Sequence, residues 1–118
     1  MSADDFDVIV FKILEYLYAC LKEGVSPNID KARDVAGCNK VYFAAVISSM
    51  LDDGYVGGVA IKAWGGDVVN IDKVNITQAG AQYLSESGKM AKVRDFLGEA
   101  WKPALATAIQ ATLALAIK

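Results

Sequence analysis

Two pairs of adjacent carboxylates, Asp4–Asp5 and Asp52–Asp53, are the residues whose type and spacing could first suggest acid–base chemistry. Each pair flanks a predicted helix end, where solvated acids are common, and both are read as surface charge. The partners that catalysis would need are missing. The chain has no histidine, so it has neither a Cys-His nor a Ser-His pairing. It also has no phosphate-binding glycine loop ahead of a helix and no cluster with metal-ligand spacing. Cys20 and Cys38 lie far apart without C-x-x-C spacing and read as small reduced core residues. The glycines of "WGGD", Trp64 to Asp67, read as turn residues rather than a ligand cradle. The expectation is a protein that is not an enzyme, with no cofactor, no metal and no evident small-molecule substrate.

Nucleic-acid binding is the other chemistry open to these residues. A net charge of −2 and a pI near 5.0 give the whole molecule no pull toward phosphate, so any basic surface must be local. Between Gly24 and Lys62 the bases Lys31, Arg33, Lys40 and Lys62 are balanced by Asp30, Asp34, Asp52 and Asp53. The candidate contacts are Lys40, Lys62 and Lys73 for phosphates, Tyr42 and Ser49 for the groove, and Asn39 beside Lys40. Double-stranded DNA is the expected nucleic-acid partner. The segment from Asn39 to Asp53 holds no arginine to read guanine.

These residues need elements to position them. Phe6, Ile9, Val10, Ile13, Leu14, Leu17 and Leu21 recur at helical spacing, with Asp4 and Asp5 able to cap the helix and Gly24 ending it. Phe11 and Tyr18 lie off that face and leave room for a second neighbour, another subunit included. After a loop from Val25 to Asn28, a short helix runs through Ile29, Ala32, Val35 and Ala36 to Gly37. Asn39 then caps a third helix to about Asp53, with Phe43, Val46, Ile47, Met50 and Leu51 on one side and Gly54 as its stop. Val56, Val59 and Ile61, the turn at Trp64–Asp67, and Val68, Val69, Ile71, Val74 and Ile76 predict a β-hairpin. Gly57, Gly58 and Asp72–Lys73 are its expected irregularities. Thr77 caps the next helix, from which Ala79, Tyr83 and Leu84 face inward. Gly80 sits in the first turn of that helix, where glycine is unfavourable, so a close backbone approach is expected there.

Three helices followed by a hairpin predict an α+β winged helix: a helix-turn-helix core, a wing, and C-terminal helices. "GYVGGV", Gly54 to Val59, and "ITQAGAQYLSESG", Ile76 to Gly88, resemble the YjcQ family of small proteins from Gram-positive bacteria and their phages. The resemblance runs from the third helix to about residue 99, and Ile-Thr-x-x-Gly-x-x-Tyr-Leu is its most specific part. It implies a winged-helix fold and carries over no catalytic residue.

The expected division is a winged-helix domain over residues 1–88 and a helical extension over 89–118 that packs or dimerises. Met90, Val93, Phe96, Leu97 and Ala100 make a stripe from Lys89 to about Trp101, and Pro103 suits the first turn of a last helix. "PALATAIQATLALAIK" carries no charge before its last residue, so it needs a cover. Its own domain, a symmetry mate or a partner protein could supply one. A membrane is disfavoured, because sixteen residues at about 1.5 Å each fall short of the roughly 30 Å hydrocarbon core. Leu105, Ile109, Leu113 and Ile117 recur every fourth residue and are the expected homodimer contacts. Ser2 to Asp7 is acidic where a signal peptide would be basic, so a cytoplasmic location is expected. Two functions remain open: a dimeric DNA-binding regulator, or a protein-protein interaction module that binds no DNA.

Overall fold

The computed structural model describes residues 1–58, 61–62, 68–70 and 74–116. Helix α1, Phe6–Glu23, is the axis of the molecule. Nine of its residues are buried, including the consecutive run Val8, Ile9, Val10 and Phe11, so it is covered on more than one side. Gly24, at φ +74°, closes it by donating its N–H to the carbonyls of Cys20 and Leu21. Asp5 holds the N-cap position without a side-chain cap bond, because its carboxylate accepts the Ser2 amide instead. Leu21 and Phe6, expected on the buried face, are 58% and 42% exposed. They stand at the helix ends, where cover is incomplete: Phe6 meets the edge of α3, at Tyr42.

Helices α2, Ile29–Ala36, and α3, Lys40–Asp52, are each capped by an asparagine. The Asn28 Oδ1 accepts the Lys31 amide at 3.1 Å and the Asn39 Oδ1 accepts the Tyr42 amide at 2.8 Å. Ala32, Val35 and Ala36 of α2 and Phe43, Val46, Ile47 and Met50 of α3 enter the core with α1.

Strands β1, Val56–Gly57, and β4, Asn75–Ile76, pair antiparallel, with Val56 opposite Ile76. Strands β2, Ile61–Lys62, and β3, Val68–Asn70, also pair antiparallel, with an irregularity at Ile61/Lys62. Both pairings belong to the expected hairpin. Its turn at Trp64–Asp67 and the Asp72–Lys73 irregularity lie outside the described residues. Val56, Val74 and Ile76 anchor its base in the core, β4 packing against α1 and β1 against α3.

Helix α4, Gln78–Glu86, begins at Thr77, whose hydroxyl accepts the Gly80 amide at 3.0 Å and donates to the Gly54 carbonyl at 2.6 Å. One hydroxyl thereby ties the start of α4 to the end of α3. Gly80 and Leu84 are the buried positions of α4, whereas Ala79 is exposed. The inward row therefore runs through Gly80, because only a residue without Cβ fits against the Tyr55 carbonyl.

Helix α5, Gly88–Leu97, is capped by Ser87, and Met90 and Val93 enter the core. It stops before the expected Trp101, with Gly98 in a positive-φ conformation. Phe96 is 46% exposed and Ala100 is also exposed, so the expected stripe is buried only over its first half. Helix α6, Lys102–Ala116, packs on α1 and α2 and places Pro103 in its first turn. Its buried residues are Ala108 and Thr112. The Trp101 ring meets Phe11 edge-on at 5.4 Å, and the Arg94 guanidinium lies 5.5 Å from the same Phe11 ring. Phe11 is therefore covered from within the chain. The architecture is mixed α+β, helix-rich, and compatible with the element order of a winged helix.

Candidate nucleic-acid interface

The outward row of α3 follows from its inward one. With Phe43, Val46, Ile47 and Met50 committed to the core, Lys40, Val41, Ala45 and Asp52 turn to solvent, and Ser48 is half-buried beside them. Val41 is 77% exposed, the largest value among the large hydrophobic side chains of the described residues. The row is mostly neutral, with Lys40 at the positive end of the helix dipole and Asp52 at the negative end.

The predicted contacts fall in different places. Asn39 and Lys40 are exposed, but the Asn39 side chain is occupied as the cap. Lys40 forms no ion pair with a described residue. The Tyr42 hydroxyl donates to the Asp4 carbonyl at 2.6 Å, and its ring lies 6.4 Å from Phe6. Burial, with Asp4 beside it, pushes the phenol above its ordinary range. Tyr42 thus binds the acidic N-terminal segment to α3. Ser49 faces a different side of the helix, toward Phe6, Tyr55 and Tyr83. Lys62 lies on β2, its side chain outside the described residues, and Lys73 lies outside them entirely. On α2, Arg33 pairs with Asp30 at 3.4 Å and Lys31 with Asp34 at 3.9 Å, so both bases are partly neutralised on their own helix.

The expected dimer residues form a second surface. Leu105, Ile109 and Leu113 are half-buried along a groove between α1 and α6 whose other wall includes Ala19 and Lys22. Ile117 lies outside the described residues. Their stripe is the shoulder of α6, and its inner face runs through Ala108 and Thr112.

Thr112 was not singled out by sequence reasoning, although a threonine four residues after Ala108 in an apolar helix is a visible signal. Its hydroxyl donates to the Ala108 carbonyl at 2.8 Å and lies 2.6 Å from the Tyr16 hydroxyl. Because the single Thr112 proton is committed to Ala108, Tyr16 donates to Thr112, and it accepts the Asn28 amide at 2.9 Å. This chain of bonds joins α1, the start of α2 and α6. Burial pushes the Tyr16 phenol up to about 12.

Among the described residues no group of three or more His, Cys, Asp and Glu side chains could hold a metal ion, and no helix is long and apolar enough to cross a membrane. What fold and surface define is a helix-rich α+β protein in which an outward-facing helix leads directly into an antiparallel hairpin. The chain belongs to the YjcQ protein family, whose model matches residues 11–100, from within α1 to the turn after α5. Helix α6 lies beyond that match. Searches of the curated proteins and of the solved structures return no match.

Proposed function

We propose that this protein is a winged-helix DNA-binding regulator of transcription, non-catalytic and cytoplasmic, with α3 as its recognition helix and the β2–β3 hairpin as its wing. The observation that carries the reading is the outward row of α3. A helix that commits four large side chains to the core leaves Val41 and Ala45 bare, beside Lys40 and Ser48. Apolar side chains of this size suit thymine methyl groups in the major groove, while Lys40 and Ser48 supply polar contacts. Lys62, in β2, and Lys73, shortly before β4 in the sequence, are the phosphate contacts this reading expects. A homodimer formed through the α1–α6 groove presents two such helices to neighbouring half-sites.

Fluorescence anisotropy with random-sequence duplex DNA at about 50 mM and 200 mM salt tests the reading. Three lysines in each of two subunits imply a loss of roughly 1,000-fold in affinity across that range. The Lys40→Ala variant lowers the log–log salt slope by about 2 per dimer. Absence of binding at the lower salt, with the protein folded, refutes the proposal.

A further inference from the structure

A cleft of about 460 Å³ lies between the first turn of α1, the end of α3 and the corner joining α4 to α5. That volume is in the range of small-ligand sites. Its apolar side comes from Phe6, which is 42% exposed, above a floor at Val10 and Met50, both buried in the core. Tyr55 and Tyr83 contribute an aromatic side, stacked with ring centroids 4.3 Å apart and planes 14° from parallel. Asp7 and Asp53, one at the start of α1 and the other at the end of α3, line the same cleft, and neither forms an ion pair with a described residue. Asp53 also sits at the C-terminus of α3, where its amide donates to the Ser49 carbonyl and the helix dipole favours positive charge.

We infer that this cleft binds a small organic cation, an ammonium group on an apolar body. The two carboxylates attract the ammonium, the aromatic side adds cation–π attraction, and the exposed Phe6 ring receives the hydrocarbon. Among the described residues Lys89 is the one basic side chain lining the cleft, so the carboxylates outnumber it. The start of α5 is a weak rival site for an anion, because the Ser87 hydroxyl already accepts the Lys89 amide. Asp7 acts on the cleft directly: with burial the larger cause, its charge helps raise the Tyr83 phenol above its ordinary range. Asp53, adjacent to Asp52 in the sequence, shares this cleft with Asp7, and Asp52 does not line it. Cation binding here stands independently of any role in binding DNA.

The test is an NMR titration of the full chain with phenethylammonium, set against its neutral isostere 2-phenylethanol and its anionic isostere 3-phenylpropanoate. The expected result is saturable shifts of the Ser49, Asp53, Tyr83 and Ser87 amides with the cation alone. The Asp7→Asn/Asp53→Asn variant, with its fold checked by circular dichroism, weakens binding roughly tenfold or more. The Glu86→Gln variant, an equal-sign change on the exposed side of α4, leaves binding unchanged. No saturable shift, equal binding of either isostere, or an equal loss in Glu86→Gln overturns the inference.

Discussion

Replacing Gly80 by alanine sets two effects of opposite sign against each other. Alanine is the better helix former by about 0.5–1 kcal/mol in a helix interior, and less in a first turn, so propensity alone predicts a more stable protein. Packing predicts the reverse. A Cβ at Gly80 would collide with the Tyr55 carbonyl oxygen, stand 2.9 Å from the Tyr55 carbonyl carbon and press on Ile76 Cγ1 at 3.0 Å. Two of these atoms are backbone, and the Tyr55 carbonyl also accepts the Thr77 amide at 3.1 Å, so it is poorly placed to yield. The start of α4 must therefore move, which strains the Thr77 cap and its bond to Gly54. Overpacking costs about 1–3 kcal/mol and a lost cap about 1 kcal/mol, so the net effect of Gly80→Ala is a destabilisation of roughly 2–3 kcal/mol. Urea denaturation followed by circular dichroism reads this as a lower midpoint at unchanged slope. Gly88→Ala is the control: its Cβ meets nothing within 4 Å, and it should be neutral or stabilising by a few tenths of a kcal/mol. A Gly80→Ala protein as stable as its parent, or shifted equally with Gly88→Ala, would refute the close-approach argument.

Two further predictions concern the buried bonds of α6. Thr112→Val leaves the Tyr16 hydroxyl without its acceptor, and Tyr16→Phe leaves the Asn28 amide without its partner, each costing about 1–3 kcal/mol. The double variant should lose less than the two together, and strict additivity in the denaturation midpoints would show that the pair is uncoupled. The Tyr16 phenol also makes stability depend on alkaline pH. Its folded pKa of about 12 lies above the unfolded value of 10.0, so its contribution is complete below pH 10 and is lost as pH rises toward 12. The loss is about 1.4 kcal/mol per pH unit, or roughly 3 kcal/mol in all. The stability of the parent relative to Tyr16→Phe should therefore fall by about 2 kcal/mol from pH 9 to pH 12, and a constant difference would contradict the assignment.

Much of the local architecture was legible in the sequence, because local rules act over a few residues at a time. Gly24, Gly37 and Gly54 mark the helix ends, each with positive φ, and Asn39 and Thr77 cap the helices they precede. The hairpin was visible in its β-branched residues, and the YjcQ resemblance in the run from Ile76 to Leu84. The face of each element was less legible. Helical periodicity tells which residues share a side, but the length of that side that meets a neighbour depends on where other elements cross it. Hence Leu21, Phe6 and Phe96, apolar and correctly spaced, remain largely exposed, and Ala79 yields the inward place to Gly80.

The candidate sites divide along the same line. That α3 would carry an outward row followed by a hairpin was readable from spacing alone, as was the apolar excess of the last helix. Only the tertiary structure could turn Tyr42 onto the Asp4 carbonyl, join Tyr16 to Thr112, and bring Asp7 to the same cleft as Asp53. The reason is physical. A cap or a turn is satisfied by groups a few bonds away, whereas a buried hydroxyl or an unpaired carboxylate acquires its meaning from groups that chain connectivity does not bring near and that only helix packing assembles.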